Sequence, residues 1–251
     1  GGDLGDYCFE RKAAEAGRFA MSDAVKINYA YQFDAGLYAA HLRRMSEAKG
    51  VRRMEGKIAR VEQHPESGFV TALVLESGQI VKGDLFVDCT GFRGLLIEQT
   101  LKAGFDDYSP WLRTDSALAV QTPSTDEIPP YTRSIARDSG WQWKIPLQHR
   151  VGNGLVFCSQ YQSVDDAKTS LLSNLDREPL FEPRLIRFKA GRRLKAWDKN
   201  VVSMGLSSGF IEPLESTSIH LIQIAVTRLM QLFPFSGITN SVIHPYNEQS
   251  R

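Results

Sequence analysis

Residues 205–223 read GLSSGFIEPLESTSIHLIQ, and this stretch decides the fold class that the sequence predicts. The apolar residues 201–204 come before it as a short strand, and a turn of glycines and serines follows. A helix is predicted to begin near Thr217, because small polar residues cap helices. Its apolar positions form one stripe, which consists of Ile219, Ile222, Val226, Leu229, Met230 and Phe233. The order strand, small-residue turn and helix predicts an α/β arrangement.

The mouth of this helix is the first candidate site. The first N–H groups of a helix have no internal partners and carry partial positive charge, so they can hold an anion or an electron-rich ring edge. Alternatively, Ser216, Thr217 and Ser218 only cap the helix. Glu215 stands immediately before the helix, beside apolar Leu214, where a simple cap does not require a carboxylate.

Two other segments are candidates for chemistry. Residues 140–146 read GWQWKIP, and the strand alternation places Trp141 and Trp143 on one face. They are either ordinary core aromatics or a wall that shapes a cavity. Residues 84–94 read DLFVDCTGFRG, which predicts a buried strand that ends in a turn at Gly91. Backbone without a side chain can approach a cofactor closely at such a turn.

The remaining patterns predict a layered organisation. A helix should begin at Asp34 and stop at Gly50, and another should run from about Leu95 to Lys102. Strands are predicted at 51–61, 69–76, 85–87, 111–122, 131–137 and 153–161. We expect an antiparallel sheet layer over residues 109–190, inserted between residues 1–108 and 191–251, which belong to one nucleotide-binding domain.

Composition excludes several classes of protein. The net charge of +1 over 251 residues argues against a nucleic-acid partner, and no apolar run is long enough for a membrane span. The cysteines are widely spaced, so a reducing cytoplasm is expected. The five histidines show no metal-ligand spacing, so no metal is predicted. The basic run 192–195 is expected to be a solvated face.

The first residue is Gly1 rather than Met, so we expect a piece of a longer protein.

Together the three segments resemble the flavin-dependent tryptophan halogenases. That family carries a W-x-W-x-I-P motif, matched here by Trp141, Trp143, Ile145 and Pro146. It also carries an E-P-L-E-S-T segment, matched by residues 212–217. The stretches 27–42, 84–97 and 130–141 are also similar to the family, and the resemblance runs from about residue 27 to 235.

The resemblance implies an α/β fold, similar to that of flavoprotein monooxygenases, in which residues 1–108 and 191–251 are incomplete parts of the FAD-binding domain. It also implies a reaction. FADH2 from a separate flavin reductase reacts with O2 and with chloride or bromide to form hypohalous acid. That oxidant passes through a tunnel to a lysine beside the substrate. A small electron-rich aromatic molecule, typically an indole such as tryptophan, is then halogenated.

The resemblance also implies roles for individual residues. Glu215 is implied to be the catalytic partner of the lysine. Backbone of Thr217 and Ser218 would hold the halide, and Trp141, Trp143, Ile145 and Pro146 would form the wall between substrate and flavin. The implied FAD-binding residues are Ile58, Gly91, Gly205, Leu206, Pro213, Ser216 and Ile219.

Three departures from the family pattern matter. The sequence contains no G-x-G-x-x-G motif with a following lysine, and the family's C-terminal region that cages tryptophan is absent. Ser218 stands where well-known members carry glycine. The segment by itself is therefore expected to be inactive. Two alternatives stay open: a flavin monooxygenase that inserts oxygen directly, and a non-catalytic binding or structural module.

Overall fold

The computed structural model describes residues 4–20, 26–212 and 214–250. The chain divides into two compact units, one made of residues 1–53 and 114–187, the other of residues 54–113 and 188–251. Each is described by itself below. No helix among the described residues is long and apolar enough to cross a membrane.

The elements are as follows. The helices are α1 Phe9–Glu15, α2 Ala35–Ala48, α3 Val164–Ser173, α4 Ser218–Gln231 and α5 Asn240–Gln249. The strands are β1 Ile58–Gln63, β2 Val70–Leu75, β3 Ile80–Lys82, β4 Phe86–Asp88, β5 Phe105–Asp107, β6 Ser116–Pro123, β7 Arg133–Arg137, β8 Gly140–Pro146, β9 Arg150–Phe157, β10 Arg184–Arg187, β11 Gly191–Arg193, β12 Trp197–Asp198, β13 Val201–Ser203 and β14 Gly209–Phe210. Short 3-10 turns occupy Leu4–Tyr7, Gly91–Arg93 and Gly205–Ser207, and a π-helical turn spans Leu95–Thr100.

The first unit is built on a five-stranded antiparallel sheet with strand order β10-β6-β9-β8-β7. One face of the sheet packs on α3 through a closed apolar cluster of Leu118, Val120, Leu155, Phe157, Ala167 and Leu171. Because side chains alternate along each strand, the neighbouring residues point to the opposite face. That opposite face carries the two tryptophans of β8.

Asp34 connects α2 to this sheet. Its Oδ1 accepts the N–H groups of Gly36 and Leu37 at 2.8 and 3.1 Å, so it caps the helix. Its Oδ2 accepts hydrogen bonds from both Nε and Nη2 of Arg150, at the start of β9, at 3.0 and 2.7 Å. One half-buried carboxylate therefore starts the helix and attaches it to the sheet.

The second unit contains three small sheets. In one of them β13 runs parallel to β4 and antiparallel to β12. Buried Asn200 ties this sheet to the antiparallel β1-β2-β3 sheet, because its side chain bonds both the N–H and the carbonyl of Val70. Two apolar clusters fill the interior, one around Ile97 and Val201 and one around Trp197 and Tyr246.

The predicted fold class is confirmed: the chain is of the mixed α/β class. Several predicted boundaries were wrong. The strand predicted from residue 51 begins at Ile58, which pairs with Leu75, the last residue of β2. The strand predicted from residue 111 begins at Ser116, because residues 108–112 form a turn. The helix predicted to reach Lys102 ends at Thr100, and Lys102 adopts a left-handed conformation.

The stripe of α4 is also only partly buried. Leu229 is 8% exposed and packs beside Trp197, whereas Val226 and Met230 are 46% and 66% exposed. The 3.6-residue period therefore identified the helix correctly but overstated how much of its apolar face is covered within this unit.

Asp34 makes stability of the first unit depend on pH. Arg150, followed by the capping N–H groups, lowers the pKa of Asp34 from 3.8 to about 2. Because the folded state favours the ionised form, the stabilisation is complete above the unfolded pKa and is lost as the pH falls through about 2. Asp34→Asn should lower the melting temperature at neutral pH. The mutant and wild-type melting temperatures should converge toward pH 2, measured by circular dichroism. A difference that stays constant across this range would contradict the role given to the carboxylate charge.

Candidate functional site

The turn after β4 is organised by the buried carboxylate of Asp88. Its Oδ1 accepts the N–H and the hydroxyl of Thr90 at 2.9 and 2.7 Å. Its Oδ2 accepts the N–H groups of Leu96 and Ile97, both at 2.8 Å. Thr90 Oγ1 in turn accepts the N–H of Leu95 at 2.7 Å. These bonds fix residues 88–97 as a loop with Gly91 at its tip.

A second loop, residues 204–208, lies against the first. The backbone carbonyl of Asp88 accepts the N–H of Met204 at 3.0 Å and also the hydroxyl of Ser207. Since β4 and β13 are parallel neighbours, their carboxyl ends meet at the same edge of the sheet. Ligands of α/β proteins bind outside such carboxyl ends. The structure thus brings together two of the predicted cofactor residues, Gly91 and Gly205, on adjacent loops.

Arg193 clamps these two loops, and the expectation that it belongs to a solvated basic face was wrong. Its side chain is 7% exposed, and Nε donates to the carbonyl of Ser207 at 2.9 Å. Its Nη1 pairs with Glu98 at 2.9 Å, and its guanidinium lies 5.1 Å from the centre of the Phe105 ring. No local sequence signal distinguishes buried Arg193 from half-buried Arg192, because the partner Glu98 is far away along the chain.

The loops leave room for a ligand. Gly91 has φ +72°, and a side chain there would meet no other atom within 4 Å. Gly205 also has a left-handed backbone, with φ +63°. The apolar side chains of Leu206 and Ile219 beside these loops are 39% and 41% exposed, which is costly in water unless a flat apolar group covers them. Open backbone beside uncovered apolar side chains fits a flavin ring.

The first turns of α4 adjoin the second loop, since a Cβ atom built on Gly205 would meet the side chain of Ile222 at 3.5 Å. Thr217 is the residue that precedes the helix, as predicted, but its side chain makes no capping hydrogen bond. The helix therefore keeps N–H groups that its own cap does not take up, beginning at Ser218. Glu215 lies exposed in a turn just before it, and Ser216 has a strained left-handed φ of 56°.

One predicted cofactor residue, Ile58, stands apart from this group. Ile58 opens β1, where it is half-buried opposite Leu75. Pro213 lies outside the described residues.

The tryptophan pair lies in the first unit, on β8. Trp141 and Trp143 share one face, with ring centroids 5.9 Å apart and ring planes at 54°. Trp141 is buried and Trp143 is half-buried. Ile145 continues the same face, and buried Pro146 ends the strand. The predicted alternation along the W-x-W-x-I-P segment is therefore observed.

No group of three or more His, Cys, Asp or Glu side chains that could hold a metal occurs in the part of the chain that the structure describes. Cys8, Cys89 and Cys158 are free thiols.

Comparison with known proteins identifies the relatives of this arrangement. A family model described as tryptophan halogenase matches residues 1–251. The tryptophan 6-halogenase ThaL of Streptomyces albogriseolus is 42% identical over 88% of this chain and 43% of its own length. Among solved structures, the flavin-dependent halogenase Xcc4156 from Xanthomonas campestris aligns with a TM-score of 0.95 and 52% identity, covering 100% of this chain and 50% of that one. BrvH, a flavin-dependent halogenase from Brevundimonas sp. BAL3, aligns with a TM-score of 0.94 and 46% identity, covering 100% and 52%. The chain thus spans about half the length of the relatives that it matches.

The Asp88 network gives a stability prediction. Asp88→Ala removes the acceptor of buried N–H groups at Leu96 and Ile97, and each buried donor without a partner costs about 1–3 kcal/mol. We expect a loss of about 3–5 kcal/mol in the free energy of unfolding, measured by urea denaturation. The matched control is Asp84→Ala, because Asp84 is exposed before the same strand. Equal losses in the two variants would contradict the network's role.

Proposed function

The chain belongs to the tryptophan halogenase family, and from this premise we propose that it carries the flavin-facing part of an enzyme that halogenates an electron-rich aromatic molecule. Tryptophan or another indole is the proposed substrate. The proposed cosubstrates are FADH2, O2 and chloride or bromide, and a separate flavin reductase supplies the FADH2. The observation that carries the proposal is the W-x-W-x-I-P segment, whose Trp141, Trp143 and Ile145 share one strand face, in a chain that the family model matches throughout.

FAD is proposed to bind at the two loops that Asp88 and Arg193 hold together. Gly91 and Gly205 would let backbone approach the cofactor, and Leu206 and Ile219 would cover the isoalloxazine ring. Ser216 would position the backbone between ring and helix, Ile58 would line the distal part of FAD, and Pro213 is also proposed to bind the cofactor. When bound, reduced FAD would supply two of the four electrons that reduce O2, and the halide would supply the other two, so that hypohalous acid and water result.

The halide is proposed to bind at the start of α4. The N–H groups there are not capped by the Thr217 side chain, and the helix dipole favours an anion at this end. If backbone atoms of Thr217 and Ser218 make the contacts, a serine at position 218 preserves the site, because every residue but proline offers an N–H group. The same helix start would thus serve the halide and the adjacent edge of the flavin.

The tryptophan pair is proposed to separate the substrate from the flavin. Trp141, Trp143 and Ile145 share one apolar face of β8, and together with Pro146 they would form a wall that a substrate ring cannot pass. Direct oxygen insertion, the alternative chemistry, requires the substrate to lie against the flavin. If the pair forms such a wall, a diffusible oxidant is favoured over a flavin monooxygenase.

Glu215 is proposed as the catalytic carboxylate. Electrophilic halogenation builds positive charge on the substrate ring, and a nearby carboxylate stabilises that charge, removes the ring proton or orients a lysine that delivers the halogen. The exposed position of Glu215 beside the proposed halide site leaves its charge available for this purpose. Flavin oxidation needs no such group.

The test is Glu215→Gln in the full-length halogenase, which keeps the shape of the side chain and removes its charge. Product formation should fall by at least about 10²-fold, because a positioned acid–base or electrostatic group is lost. FAD affinity and O2-dependent oxidation of FADH2 should stay near wild type. Glu212→Gln is the control within the same segment.

Two outcomes would overturn the assignment. Unchanged product formation would remove Glu215 from the reaction. Loss of product that only follows loss of FAD binding would make Glu215 a structural residue of the turn before α4.

A further inference from the structure

Gly154 lies directly beneath the indole of Trp143. The two residues are partners in the β8–β9 ladder, so they face each other on the same side of the sheet. A Cβ atom built on Gly154 would overlap Cζ2 and Cη2 of Trp143 and lie 2.5 Å from its Cε2. The six-membered ring of the indole thus occupies the space in which any other residue would carry a side chain.

The neighbouring positions are small as well. Ala119 of β6 stands opposite Gly154, and Ser134 of β7 stands opposite Trp143. Glycine weakens a strand interior, and in such a place it marks a close approach to the backbone. Here the approaching group is the indole of the halogenase motif, which lies down on β9 instead of standing away from the sheet.

We propose that Gly154 is a positioning residue for the tryptophan wall. By having no side chain, it fixes the height and tilt of the Trp143 indole, and therefore its arrangement with Trp141 at 5.9 Å and 54°. The functional part of this inference rests on the proposed wall between substrate and flavin. The structural part, that Gly154 fixes the position of the Trp143 indole, does not depend on that wall.

Gly152 provides a matched control on the same strand and the same face. It pairs with Ile145, the next motif residue on that face. A Cβ at Gly152 would meet its nearest atoms at 3.5 Å, in Arg150, and at 3.8 Å, in Ile145, which is ordinary van der Waals contact. Both glycines lack the left-handed backbone that would itself strain an alanine, so the two substitutions differ mainly in the collision with Trp143.

The experiment compares Gly154→Ala, Gly152→Ala, Trp143→Phe and the double variant Trp143→Phe/Gly154→Ala in the full-length halogenase. Phenylalanine lacks the second ring of the indole, so it makes room for the added methyl group. The first readout is the exciton circular-dichroism couplet of the Trp141–Trp143 pair, which depends on the relative orientation of the rings. The second is the ratio of released peroxide to halogenated product for each FADH2 oxidised.

Gly154→Ala should lose the couplet, and its peroxide-to-product ratio should rise about tenfold, below the ~10²-fold cost that a misplacement of about 1 Å can have. Gly152→Ala should match the wild type in both readouts. In the Trp143→Phe background, which has already lost the couplet, Gly154→Ala should leave the peroxide-to-product ratio unchanged. If Gly154→Ala fails to fold while the double variant folds, the collision with the indole is likewise established.

Other outcomes overturn the proposal. An unchanged couplet in Gly154→Ala would show that Gly154 does not position the indole. A full effect of Gly154→Ala in the Trp143→Phe background, or failure of both variants to fold, would assign the glycine to the strand itself. Loss of the couplet with unchanged peroxide release leaves Gly154 as the support of Trp143 and contradicts the wall in the proposed function instead.

Discussion

The buried carboxylate of Asp88 bonds donors on both sides of the turn that follows β4, namely Thr90 and the N–H groups of Leu96 and Ile97. A buried charge is tolerated only when its hydrogen bonds are satisfied, so the loop has one geometry that meets the requirement. The carbonyl of the same residue bonds the next loop through Met204. The hydrogen bonds to Asp88 therefore fix the two loops that form the candidate flavin site of the second unit.

Arg193 completes this arrangement from the opposite direction. Its guanidinium is planar and donates at several angles, so it bonds the carbonyl of Ser207 and the carboxylate of Glu98 at once. Lysine offers a single ammonium and cannot reproduce that geometry. Two loops that were to contact a common ligand would have to keep a fixed separation, and in this unit the partly buried Arg193–Glu98 ion pair helps to set it. In the first unit, apolar packing fixes the position of a side chain instead. The Trp143 indole lies on β9, which has no side chain at Gly154.

Local patterns predicted much of this correctly. The helix that begins after Asp34 follows from its capping carboxylate, and the helix that begins after Thr217 follows from its apolar period; both signals act within a few residues. The shared face of Trp141 and Trp143 follows from strand alternation. The start of β1 at Ile58 does not follow from such patterns, because a strand exists only where a second strand offers a partner. For the same reason, the helical period of α4 could not show how much of its apolar stripe other elements bury.

The sequence by itself determined the family, the mixed α/β class and the segments that carry the candidate chemistry, because motif order and local periodicity are properties of neighbouring residues. The roles of Glu215, Thr217 and Ser218 stay predictions of that kind. Only the tertiary structure decided that Arg193 is buried, since its partner Glu98 lies 95 positions away. Only the register of β8 against β9 put Gly154 beneath Trp143. Long-range ion pairing and strand register depend on where the backbone brings distant residues together, and no local pattern records that.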